Sequence, residues 1–373
     1  MNAMTRVWYT LAVPVGAIIL GIVVGGLIIL LSSPFVTGSF DLALPFVAYA
    51  ALIDGALGSV DRIVHTFVLT APIVLTGLSV GIGFKAGLFN IGAGGQLLMG
   101  ALGAGVVGAA VADWPPALAI TTATLAAVVL GGFWGFIPGV LKAFTGAHEV
   151  VVTIMLNFIA AGIVQALVTG PFNAPGFSFI RTDDIGNAAM FVVIGTDGHL
   201  GLLVALAAVP IIAWLLGRTI WGFQIRTVGA NPSAALYAGM SPRRVTIATM
   251  TLCGALAGLA GAIEILGSIG YVGASHTSSA GFDGITAALL GRATPFGILG
   301  GAFLLGSLRA GAALMGLRAN IPVELVDILQ AVILLFLAAD VLVRRVFRLK
   351  RAKSGVVAAE SIARSYAGER GTG

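Results

Sequence analysis

"GFKAGLFNIGAGGQLLMGA", residues 83–101, decides how this chain is to be read. Lys85, Asn90 and Gln96 stand among six glycines, between two long apolar runs. A soluble reading exists, because Gly81-Ile82-Gly83-Phe84-Lys85-Ala86 fits the glycine pattern of a dinucleotide-binding turn. That turn requires a strand before it and a helix after it in a soluble βαβ unit. Both flanks here stay apolar far longer than a strand, so the match is accidental. What remains is flexible backbone with polar side chains inside membrane segments. Lipid offers such groups no partner, and they persist only where they face protein or a water-filled cavity. Two arrangements meet that demand. Either the backbone is irregular beside a central cavity, or Lys85 marks a cytoplasmic turn and Asn90 caps the next helix.

Composition extends the membrane reading to the whole chain. Of 373 residues, 58% are hydrophobic and only 9% charged, and the mean hydropathy is +1.05. Soluble domains carry roughly 25% charged residues. Apolar stretches of about 20 residues, long enough to cross a bilayer, recur along the sequence. The expected spans are 8–31, 63–84, 88–112, 117–141, 148–169, 199–217, 244–266, 279–292, 296–316 and 322–343. The fold class is therefore an all-α integral membrane protein of about ten transmembrane helices. Residues 8–31 are too long and uniformly apolar for a signal-peptide core and read as a retained first helix.

Charge placement sets the orientation. With the N-terminus inside, sixteen of the twenty Lys/Arg fall on the cytoplasmic side, three fall outside (Arg62, Arg181, Arg318), and Arg309 lies within a span. That is a positive-inside distribution, with both termini cytoplasmic. It also accounts for the formal charge of +5 without nucleic acid as a partner, since the basic residues sit at helix ends and in the tail. The chain divides into an N-terminal helix and outer interfacial segment (1–62), a transmembrane core (63–343) and a basic, disordered tail (344–373).

Glycine is abundant, 53 of 373 residues, about twice the usual ~7%. Gly131, Gly135 and Gly139, Gly254 and Gly258, Gly297 and Gly301, and Gly21 and Gly25 repeat every fourth residue. Membrane helices approach closely through such small residues, and bundle packing explains most of them.

Enzyme chemistry has no footing here. Cys253 is the only cysteine, and the four histidines are scattered at 65, 148, 199 and 276 without metal-ligand spacing. No Gly-Lys dipeptide occurs, so the phosphate-binding loop of an ATPase is absent. If ATP drives this protein, a partner subunit binds it.

Three stretches carry the functional candidates. In the first, Asn90 and Gln96 are polar groups at membrane depth. In the second, "HEVVVTIMLNFIA" (148–160), Glu149, Thr153 and Asn157 are spaced i, i+4, i+8 and form one stripe on a helix. Such a stripe suits a solute pathway, although Glu149 at a helix end also reads as a residue reaching the interface. Asp283, in "GFDGITAALLGR" (281–292), is another path candidate, or else a partner for Arg292 or a loop cap. The third stretch is the polar loop 217–244, which contains "NPSAALYAG". Its punctuation predicts a two-turn helix: Asn231 as N-cap, Pro232 first, Ala235, Leu236 and Tyr237 in the body, Gly239 as stop. Leu236, Tyr237 and Met240 on a preformed helix suit docking into a groove of a partner.

"GLFNIGAGGQLLMGA", "HEVVVTIMLNFIA", "RTVGANPSAALYAGM" and "GFDGITAALLGRATPFGILGGAF", in this order, resemble the nucleoside-type permeases of ABC importers, a group related to ribose and branched-chain amino-acid permeases. The resemblance covers roughly 60–345. It implies a homologous second permease subunit, two cytoplasmic ATPase domains that bind ATP and Mg²⁺, and a substrate-binding lipoprotein at a bacterial inner membrane. It further implies that Gly229 to Gly239 form a coupling helix, and that Asn90, Gln96, Glu149 and Asn157 lie near the translocation path. Gly94 stands where an acidic residue is common in the family. The runner-up substrate is ribose or another simple sugar. An ion-coupled secondary carrier would need inverted repeats and an intramembrane ion site, and a passive channel would not need the coupling loop.

Overall fold

The computed structural model describes residues 3–322 and 324–338, without the side chains of 3–14, 36–37 and 337–338. The expected tail 344–373 and the end of the expected 322–343 span lie outside the described residues. In chain order the elements are α1 (Ala3–Thr37), α2 (Leu44–Leu57), α3 (Val60–Lys85), α4 (Ala93–Ala110), α5 (Pro116–Thr145) and α6 (Glu149–Thr169). A short antiparallel pair follows, β1 (Val192–Ile194) and β2 (Gly198–His199), in which Val192 faces His199. Then come α7 (Leu200–Arg218), α8 (Ile220–Ala230), α9 (Pro232–Tyr237), α10 (Pro242–Glu264), α11 (Ala280–Leu290), α12 (Pro295–Ala319) and α13 (Glu324–Ala338).

Eight described helices are long and apolar enough to cross a membrane: α1, α3 to α7, α10 with its extension to Ile269, and α12. α11, where a span was expected at 279–292, has 11 residues and rises only about 16 Å at 1.5 Å per residue. α8 was not anticipated. It is set by Thr219, whose Oγ1 accepts from Gly222 N at 3.1 Å, inside the loop read only for α9.

The described residues fall into two compact units, one from the stretches up to 59 and from 308 onward, the other 60–307. In the first unit, α1 packs on α13, with Gly21 and Gly25 turned to Ile333 and Leu329. Tyr49 Oη donates to the Ile22 carbonyl at 2.6 Å, and Arg318 pairs with Asp54 at 2.6 Å.

The second unit is organised around α3, α4 and α10, the most buried spans, while α5, α6 and α7 expose Phe133, Phe158, Ile211 and Trp214. α10 packs against α5, α4 and α3. A Cβ at Gly254 would overlap the Gly131 carbonyl, and one at Gly100 would overlap the Gly258 backbone. The fourth-residue glycines thus let three helices meet backbone to backbone. α3 keeps its polar residues satisfied locally, since Thr70 Oγ1 donates to the Thr66 carbonyl at 2.7 Å. Thr76 Oγ1 reaches the Ala280 carbonyl at 2.7 Å, tying α3 to the start of α11.

Candidate functional site

The opening stretch folds as a tight reversal. Gly83 O accepts from both Ala86 N and Leu88 N at 2.9 Å, and Gly87 turns the chain with φ +71°. α4 then starts at Ala93 with Gly92 as its N-cap, a residue with no side chain to offer the first N–H groups. Asn90 is therefore not the cap. Its fully buried amide closes a reciprocal pair with Gln96: Nδ2 donates to Gln96 Oε1 at 2.9 Å, and Gln96 Nε2 donates to Asn90 Oδ1 at 3.2 Å. Asn90 Oδ1 also accepts from Gly92 N at 3.1 Å.

The capping of α4 comes from another helix. Asn157 on α6 accepts from Gly95 N through Oδ1 at 2.8 Å and donates through Nδ2 to the Ile91 carbonyl at 3.0 Å. A Cβ at Gly95 would lie 2.8 Å from Asn157 Oδ1, so only glycine allows this approach. The rest of the stripe faces the same turn. Thr153 is buried, with its Oγ1 bonded back to the Glu149 carbonyl at 2.7 Å, and a Cβ at Gly92 would lie 2.9 Å from Thr153 Cβ. Glu149 is buried and pairs with Lys142 of α5, Oε2 to Nζ 2.9 Å. Four of the six expected path residues, Asn90, Gln96, Thr153 and Asn157, are thus gathered around one turn, and Glu149 stands one helical turn further back on α6, engaged with Lys142. Asp283 is buried in the first turn of α11, its N–H donating to Ser279 O at 2.9 Å, and that helix meets α4 where Gly281 lies against Gly94.

The short helix of the 217–244 loop runs Pro232–Tyr237, with Asn231 Oδ1 accepting from Ala234 N at 3.0 Å and Gly239 at φ +80°. Ala235 faces inward and is fully buried, while Leu236 and Tyr237 are 64% and 95% exposed. Just before it, Gly229 lies against the turn that follows α3: a Cβ there would overlap the Lys85 carbonyl and sit 2.7 Å from the Ala86 carbonyl carbon. The two stretches, 140 residues apart in sequence, share one end of the unit.

At the opposite end the 182–190 segment lies over the end of α10, with Met190 N donating to the Leu266 carbonyl at 2.7 Å and Thr182 N to the Val272 carbonyl at 2.9 Å. There α10 widens into a π turn, Ile265–Ile269, closed by Gly270 at φ +84°. His199 is buried against Gly267 and Gly201, its Nε2 3.3 Å from Ser268 Oγ. Burial holds its pKa below the usual histidine value, against the pull of Asp197. Nearby, Ser278 Oγ donates to Glu264 Oε1 at 2.7 Å, and His276 Nε2 lies 3.8 Å from Glu264 Oε2. The sequence reading passed over Glu264 and His276, which are 12 residues apart and joined only through the π turn and the loop after it.

A helical membrane bundle with polar groups gathered on buried faces and an exposed apolar helix at one end is the build of a membrane transport subunit. Residues 62–338 match the family described as the permease component of branched-chain amino acid transport systems. The chain belongs to that family and is an ABC transporter permease. It is 40% identical to the guanosine ABC transporter permease protein NupP of Bacillus subtilis, over 91% of this chain and 97% of the relative. The nucleoside ABC transporter permease protein NupB of Lactococcus lactis is 35% identical over 92% and 94%. The glucose ABC transporter permease protein TsgB13 of Haloferax volcanii is 33% identical over 91% and 90%. No solved structure matches the chain.

Proposed function

We propose that this permease carries nucleosides inward as half of an ATP-driven importer. The observation that carries the substrate class is the pair of relatives named for guanosine and nucleoside transport, each matched over more than nine-tenths of both chains. A neutral solute agrees with a carboxylate at Glu149 that is already paired with Lys142 and so offers no fixed counter-charge. A homologous second permease completes the path, two cytoplasmic ATPase domains bind ATP and Mg²⁺, and a substrate-binding lipoprotein delivers the solute. Both termini are cytoplasmic, which places α9 inside. Leu236 and Tyr237 enter a groove of the ATPase, and its closure on ATP moves the α8–α9 segment against the turn at Gly87.

A monosaccharide is the second reading, favoured by the glucose permease matched over nine-tenths of both chains. Uptake of labelled guanosine, adenosine, uridine, ribose and glucose, with and without this gene, separates the two. Nucleoside uptake lost with the gene, and lost again when the partner ATPase cannot hydrolyse ATP, supports the proposal. Sugar uptake lost instead selects the second reading.

A further inference from the structure

Glu264, His276 and Ser278 sit at the end of the unit opposite α9 and belong to none of the contacts described for the Asn90 turn. Their arrangement is incomplete in a specific way. Ser278 occupies one carboxylate oxygen of Glu264. The other, Oε2, is buried and accepts no hydrogen bond. The His276 side chain is 10% exposed, and its Nε2 is likewise buried and without a hydrogen bond. The two orphan atoms face each other at 3.8 Å, too far for a hydrogen bond. Buried polar atoms of this kind are costly when left without a hydrogen bond, and native proteins retain few of them without a use.

One hydroxyl group resolves both. An oxygen about 2.8 Å from each atom would satisfy both, its O–H donating to Glu264 and its lone pair accepting from the imidazole. The Glu264 side chain is 21% exposed, through atoms other than the covered Oε2. A carboxylate is also the group proteins use to bind sugar hydroxyls, as at the ribose of dinucleotides. The π turn that begins at Ile265, directly after Glu264, is the kind of helix irregularity that collects at functional sites. Gly270 ends it in a left-handed conformation, and so sends the chain back to bring His276 and Ser278 over Glu264.

We propose that Glu264 and His276, oriented by Ser278, form a transient site for a sugar hydroxyl of the solute at the outer end of the path. This rests on the nucleoside reading and on the inward orientation of α9. The site is too small to hold the whole solute, and its role is to receive the ribose as the binding protein releases it.

The test uses the complete importer, with its ATPase and binding protein, reconstituted in liposomes. Uridine uptake and ATP hydrolysis are measured together at saturating binding protein for the wild type, Glu264→Gln, His276→Ala and Ser278→Ala. Glu264→Gln keeps size and packing. It is expected to lower uridine carried per ATP about tenfold, His276→Ala similarly and Ser278→Ala two- to threefold, with binding-protein-stimulated hydrolysis within twofold of wild type. A merely structural role lowers transport and hydrolysis together, and that outcome overturns the site, as does Glu264→Gln transport at the wild-type ratio. Failure of the nucleoside reading has a different signature: the wild type itself then carries glucose or ribose and no uridine.

Discussion

Asn157 offers the sharpest test of what the polar stripe is for. Replacing it with leucine, nearly the same shape, removes two hydrogen bonds at once. Gly95 N–H loses the acceptor that stands in for an N-cap on α4, a contribution of about 1 kcal/mol. The Ile91 carbonyl loses its donor, at roughly 1–2 kcal/mol for a part-buried acceptor left unmade. Interhelical hydrogen bonds in membranes average about 0.6 kcal/mol, which sets the floor near 1.2 for the pair, so a loss of about 2–3 kcal/mol is expected. Asn157→Asp keeps an acceptor for Gly95 but sets a carboxylate oxygen against the Ile91 carbonyl, and an unpaired buried charge is costly, so its loss is at least as large. Unfolding of the purified subunit, followed by tryptophan fluorescence in mixed micelles of increasing denaturing detergent, places both variants below wild type. If Asn157→Leu unfolds within ~0.5 kcal/mol of wild type yet abolishes uptake, Asn157 contacts solute and the bracing account is wrong.

Leu236→Asp with Tyr237→Asp should abolish ATP-driven uptake while the subunit still inserts and folds, and co-purification with the ATPase domain should drop with it; uptake near wild type removes α9 from the coupling role. Gly258→Ala places a methyl against the Ala127 carbonyl, and overpacking of this kind costs about 1–3 kcal/mol, readable in the same detergent titration; an unchanged midpoint means that α5 and α10 do not meet as described. His199 is held neutral by burial, with a folded pKa below the ordinary histidine value of about 6.5. The unfolded chain therefore binds the proton first, and stability present above pH 6.5 is lost as the pH falls toward the folded pKa, by at most ~1.4 kcal/mol per pH unit. His199→Gln should flatten the stability profile between pH 7 and 5, and an unchanged slope assigns that dependence to another group.

The sequence made the scaffold readable because hydropathy and charge placement are properties of the chain itself. Asn231, Pro232 and Gly239 marked a helix because capping is local. The capping alternative for Asn90 failed for the opposite reason. As a cap it would have needed only its own neighbours, whereas its partner is Gln96 across the turn and the capping group belongs to Asn157, 62 residues beyond Gly95. The 279–292 stretch already read as short, but its burial against α3 and α4 has no local signal, since it is decided by Gly281 meeting Gly94 and Gly284 meeting Thr76. Glu264 and His276 come together only because a π turn and Gly270 bend the chain back, and irregular backbone has no periodic signal.

The meeting of Gly229 with the Lys85–Gly87 backbone has a mechanical meaning. Where helices touch through side chains, a push is partly spent in rotamer changes, and the joint has play in it. Main chain against main chain leaves no rotamer to yield, and protein interiors are too dense to compress. A displacement entering at the α8–α9 segment therefore reaches the Asn90 turn with almost no backlash. Even one methyl group at Gly229 or Gly87 would act as a shim that resets the whole linkage.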